Sequence, residues 1–323
     1  MPRLVAALHL ISWVGALALA SAQAAPHPPC RIVDAYTAVV EVAQTSADSP
    51  PADQVSAFKA SIIATHPELY AVDVLNLPPG PRIDTKIIES LAAARAQQRD
   101  IEELMRALRA DVDAAALAFG RFADFRCDFP VYLMDALGQL DGAGRVVAGR
   151  RALVLGIDTL LQERASISLP VFVTHELFHR YHYQAAGFSD DLAERQPIWK
   201  TLWAEGLATY ASQVLTKGAT RRDALMLPPD LEQRAKPMLP MLAAQLLEHL
   251  DQTDADVFTT YFTYGNETVA RRGLPWRSGY YVGYRVAAQL ALRHPIQELA
   301  HLKGDPLHAE IEAALRQLAV QKP

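Results

Sequence analysis

The chain has 323 residues, half of them hydrophobic, and a formal net charge of -5. With so mild a balance, no nucleic-acid-binding stripe and no polybasic membrane patch stands out. Two cysteines are too few for a small disulfide scaffold or a cysteine-rich zinc site.

Residues 1–24 read as an export leader. Arg3 gives a short basic start, an apolar stretch runs from Leu4 to Ala20, and Ala22-Gln23-Ala24 matches an A-x-A cleavage site. Beyond Ala24 no apolar run is long enough to span a bilayer. The expected location is therefore the periplasm or the secreted space, with no stable membrane span once the leader is cleaved. In such an oxidising compartment a Cys30–Cys127 bridge would tether the mature N-terminus to the middle of the chain, although spacing alone leaves the pairing open.

Residues 25–120 read as an N-terminal helical region with no chemistry of its own. RIVDAYTAVVEVAQ is expected to be a short helix and 53–67 a second. NLPPGPRID, 76–84, is a turn or linker, and 84–119 is a long Ala-, Leu-, Glu- and Arg-rich helical run, as one helix or two. No cysteine-switch context marks this region as an inhibitory propeptide.

The pattern changes after Phe122. VYLM, RVVAG and RALVLGI read as strands, with DGAG, 141–144, as a hairpin-like turn. SLP, 168–170, then opens a helix, with Pro170 tolerated in its first turn. Further helical segments fit 195–215, 230–250, 281–293 and 306–320, with Pro237 and Pro240 bending the second of these.

The helix after SLP contains His175-Glu-Leu-Phe-His179. Positions i and i+4 share a helical face, so both imidazoles can reach one metal ion, while Glu176 beside them can reach a water. Chance alone yields such a pentapeptide in roughly one chain in a hundred of this length, so a third ligand is needed. LWAEGLATYAS places Glu205 in a helical pattern 26 residues after His179, which completes a His₂Glu set with an open fourth position. Ala204, Gly206 and Ala208 suggest that its helix approaches the first closely. His182 also lies on the metal-facing side, but three ligands from one helix strain the geometry, and it is expected to pack.

These segments resemble the zincin metalloproteases of the glutamate-ligand branch, the gluzincins, and more narrowly the predicted zinc-dependent proteases of the DUF2268 type. HELFH at 175–179, WAEGLATY at 203–210 and GYYVGYRVA at 279–287 carry the resemblance, over about 125–295. It implies an α+β fold: a zincin-like core in 121–323 with a small mixed sheet, an active-site helix and a mostly helical C-terminal subdomain, preceded by the N-terminal helices. It further implies Zn2+ held by His175, His179 and Glu205, with Glu176 as general base. In thermolysin-like members an acidic residue often follows the glutamate ligand by four and supports a histidine; here that position is Thr209, and Asp190 or Asp191 is the substitute considered. The implied substrate is a peptide or protein, held in extended form on an edge strand. RALVLGIDT, 151–159, is the expected edge, with Gly156 permitting close approach.

Acyl hydrolysis also needs a donor to the developing oxyanion. PWRSGYYVGYR offers Arg277, Tyr280, Tyr281 and Tyr284. Tyr281 is the nominal choice, with Tyr284 behind it on the same helical face. The alternatives are hydrolysis of a non-peptide amide or ester, and a zincin-fold binding protein without catalysis. Nothing in the sequence signals an oligomeric state.

Overall fold

The computed structural model describes residues 29–122, 124–188 and 196–321. The leader and Asp190 and Asp191 lie outside the described residues. Strand β1 (Arg31–Asp34) is followed by helices α1 (Thr37–Thr45), α2 (Pro51–Phe58), α3 (Val72–Leu75), α4 (Pro81–Ala96) and α5 (Gln98–Phe119). Strands β2 (Pro130–Met134), β3 (Gly142–Val147) and β4 (Arg150–Gly156) come next, then α6 (Ile157–Glu163), α7 (Leu169–Ala186) and α8 (Ile198–Leu215). The C-terminal part is helical: α9 (Arg221–Leu225), α10 (Leu231–Ala235), α11 (Leu239–Glu248), α12 (Ala255–Phe262), α13 (Glu267–Arg271), α14 (Ser278–Leu290), α15 (Ile296–His301) and α16 (Gly304–Ala319).

The class is α+β with one small mixed sheet of order β1-β2-β4-β3. β1, β2 and β4 are parallel, and β3 runs antiparallel along β4. Two expectations fail here. The segment read as a short helix from residue 31 begins instead as β1, paired with β2 through Ile32 and Val131, and its helix starts only at Thr37. DGAG is not the hairpin turn: Gly142 already pairs with Leu155, and the chain reverses at Ala148 and Gly149, both at positive φ.

β1 makes the N-terminal region part of the sheet. Cys30 and Cys127 are disulfide-bonded, which fastens the start of β1 close to the start of β2. The long helical run is two helices, broken at Gln97. The segment at 230–250 is divided as Pro237 and Pro240 suggest, by a 3₁₀ turn at Lys236–Met238.

α7 is apolar or buried almost all round, with Val171 to Phe178 buried without interruption, as expected of a central helix. On one side Phe178 and Tyr181 pack on Phe119 of α5 and on Phe122 and Phe125, with ring centres 5.1–6.3 Å apart. On the other side lies α8, where Trp203 is fully buried. Among the described residues no helix is long and apolar enough to cross a membrane.

A buried acidic pair sits where β2 and β4 end. Asp135 contacts Ser90 of α4 and accepts the Leu137 N–H, and Asp158 accepts the N–H groups of Ala136 at 2.8 Å and Gly138 at 2.6 Å. Burial, with the Asp158 charge added, pushes the Asp135 carboxyl from 3.8 up to about 8. Burial raises Asp158 too, against its backbone hydrogen bonds.

An acid raised in the folded state contributes its full stability below its ordinary value and loses that contribution as pH rises through the folded value. Asp135→Asn should therefore gain stability relative to the parent between pH 3.8 and about 8. Urea unfolding at both ends of that window checks the sign. The bridge spans 97 residues in sequence, so Cys30→Ser with Cys127→Ser should cost about 4 kcal/mol in the same assay.

Candidate metal centre

Helix α7 supplies His175, Glu176 and His179, and α8 supplies Glu205. The His175 and His179 Nε2 atoms are 3.0 Å apart, and Glu205 Oε2 lies 3.4 Å from each. Ligands about 2 Å from a tetrahedral ion are separated by about 3.3 Å, so these spacings fit a shared metal ion. The three residues form the group of potential ligands that the described residues bring together. Among the described residues neither Nδ1 atom has a hydrogen-bond partner. Thr209, at the position considered for second-layer support, instead donates to the Glu205 backbone carbonyl at 2.7 Å.

Electrostatics favour the ligating forms of His175 and Glu205 and, without an ion, act against that of His179. Burial lowers His175 to about 4, which keeps that imidazole neutral. Burial opposes ionisation of Glu205, but the His179 and His175 rings outweigh it and hold the carboxyl well below the usual range. Burial also lowers His179, and Glu205 more than reverses it. Burial raises Glu176 to about 7, with Asp141 and Glu205 adding to the rise.

The group opens on a cavity of about 370 Å³. One wall is β3. A Cβ on Gly142 would lie 2.9 Å from Glu176 Cγ, and one on Gly144 would lie 2.2 Å from Arg180 Nη1. Both glycines therefore let the strand backbone rest directly on α7. β3 is also a sheet edge, whereas β4, the expected edge, is enclosed between β2 and β3. Gly156 approaches the Leu140 carbonyl rather than the cavity.

The tyrosine of this segment that lines the cavity is one residue before the nominal choice. Tyr280 lines the cavity, its ring stacked 6.4 Å from that of His175. Tyr281 and Tyr284 are buried and outside that lining. Tyr281 accepts a hydrogen bond from Arg285 at 3.2 Å, and Tyr284 donates to Gln213 at 2.7 Å. Arg277 also lines the cavity, its guanidinium 3.8 Å from the Tyr280 ring centre. The locating signal was the start of α14: Arg277 precedes it in a left-handed conformation, and each helical residue turns about 100° from the last.

Asp141 and Glu163, which the sequence did not single out, line the same cavity. His182 stands apart from the ligand group, packed against Phe188 and Trp203 as expected. Gly206 serves a different neighbour: a Cβ there would collide with the Gly283 backbone of α14.

Comparison with protein families, with curated proteins and with solved structures finds no match for the chain. Gly206→Ala tests the α8–α14 contact. Alanine favours a helix by about 1 kcal/mol, but the overlap with backbone outweighs that, and a net loss of about 2 kcal/mol is expected. Thermal unfolding read alongside metal content should show both falling together.

Proposed function

We propose that the protein is an exported zinc metallopeptidase of the HExxH…E type with a zincin-like core. The observation that carries this reading is the convergence of His175, His179 and Glu205 beside a carboxylate, Glu176, that the ligand set does not use. A purely structural ion site has no need for an adjacent base and usually closes its fourth position. The Cys30–Cys127 bridge supports export, because disulfides persist in oxidising compartments.

Zinc held by the two Nε2 atoms and Glu205 Oε2 would polarise a substrate carbonyl and make water a better nucleophile at neutral pH. Glu176 takes the proton of the attacking water on its carboxylate and returns it to the leaving amine nitrogen. Its raised value suits both transfers near neutrality. The Tyr280 hydroxyl, protonated throughout because burial pushes its titration above the usual tyrosine range, donates to the developing oxyanion. The outer edge of β3 can pair with the backbone of an extended peptide in place of the Asp141 and Arg145 side chains that bond the Gly142 N–H and the Gly144 carbonyl, so the substrate class is a peptide or protein chain.

Zinc analysis of the protein purified without added metal should give about one ion per chain. Glu176→Gln should keep that zinc while peptide hydrolysis falls by at least about a hundredfold. A zinc-free chain that takes up none on addition would end the metallohydrolase reading. Unchanged hydrolysis in Glu176→Gln would remove the general-base assignment.

A further inference from the structure

The cavity holds a cation without an ion-pair partner. Arg277 lines it beside the metal ligands, and among the described residues its guanidinium makes no ion pair; Asp141 and Glu205 act on it only through space. The other two cavity guanidiniums are engaged in the fold. Arg145 donates to the carbonyls of Val74 at 2.9 Å and Gly144 at 3.0 Å, and Arg180 lies under Gly144 and over the Phe129 ring.

The position of Arg277 is held at a cost. Its φ of 57° and ψ of 25° are left-handed, a conformation unfavourable for a residue with a Cβ. Its N–H donates to the Thr263 carbonyl at 3.2 Å, and the preceding Trp276 donates from its ring to the Asn266 carbonyl at 2.7 Å. The guanidinium stacks on Tyr280, and Tyr280 stacks on the ligand His175. With its carbon over the ring, the guanidinium can turn the in-plane N–H groups that the Tyr280 hydroxyl does not use toward a planar acceptor.

The cavity lining carries four carboxylates, Asp141, Glu163, Glu176 and Glu205, against three guanidiniums. A carboxylate is the planar acceptor that a guanidinium fork fits.

We propose that Arg277 is the substrate-recognition residue of this site and selects peptides that present a carboxylate within one or two residues of the scissile bond. This rests on the peptidase reading above. The guanidinium carbon is no farther from the His175 ring than the two stacking distances combined, and an extended chain advances about 3.3 Å per residue. Two sources supply the group: the C-terminal carboxylate, which makes the enzyme a carboxypeptidase, or an Asp or Glu side chain.

The test is calorimetric binding of three N-acetylated tripeptides: a free acid ending in glutamine, its C-terminal amide, and the amide with that glutamine replaced by glutamate. Each is titrated into the metal-free protein and into zinc-loaded Glu176→Gln, with zinc content read separately. At least one carboxylate probe should bind about tenfold tighter than the neutral amide in both forms. Arg277→Lys, which keeps the charge and loses the fork, should cut that preference below about threefold without changing zinc content. A preference carried by the free acid assigns the terminal carboxylate, and one carried by the glutamate amide assigns a side chain.

Equal binding of all three probes overturns the proposal, including no measurable binding of any. So does a preference that survives Arg277→Lys, or one confined to the zinc-loaded form, which would place the carboxylate on the metal. A chain that takes up no zinc ends the hydrolase reading alone, because the comparison on metal-free protein still stands. Should Arg277→Lys fail to fold, the parent's response to the three probes decides the matter.

Discussion

The site depends on two helices meeting without side chains between them. At Gly206 and Gly283 the backbones of α8 and α14 touch, and a methyl group on either glycine would collide with main-chain atoms. Glu205 is the residue before Gly206, and Arg277 and Tyr280 stand at the start of α14. The contact therefore fixes the third ligand relative to the groups that face it across the cavity. Interiors pack at near-crystalline density, so a shift at this crossing propagates to the ligand rather than being absorbed.

The same economy operates on the opposite wall. Gly142 and Gly144 are two residues apart on β3, so they share the face that rests on α7. One lies over Glu176 and the other over Arg180. Burying a carboxylate and two imidazoles together is unfavourable unless each compensates another. Here the compensation is partial: Glu205 raises His179, and among the described residues both Nδ1 atoms are without partners. An ion shared by the three donors would complete the balance.

The candidate ligand group was legible because its two histidines are local chemistry on a regular element. His175 and His179 are one turn apart, and that relation survives any error in helix boundaries. Glu205 was legible from composition and distance along the chain. What escaped was set non-locally. RIVD reads as the start of a helix until β2 is available to pair with it. RALVLGI reads equally well as edge or centre, because strand order is not encoded in any single strand. Gly142 and Gly144 look like a turn unless a helix beneath them is known. Tyr280 and Tyr281 differ by one residue, and their exchange follows from a helix start fixed by the left-handed Arg277, which periodicity does not reveal.

β1 and β2 are neighbours in the sheet but nearly a hundred residues apart in the chain, with α1 to α5 made in between. The earliest strand to emerge during synthesis therefore waits for its partner while the helices, whose contacts are short-range, can already form. Cys30 waits with it as a thiol. Because the whole chain has two cysteines, no wrong bridge can form within one molecule. Oxidative error is confined to links between molecules, so crowding of nascent chains, rather than reshuffling within each one, governs the yield of correctly bridged protein.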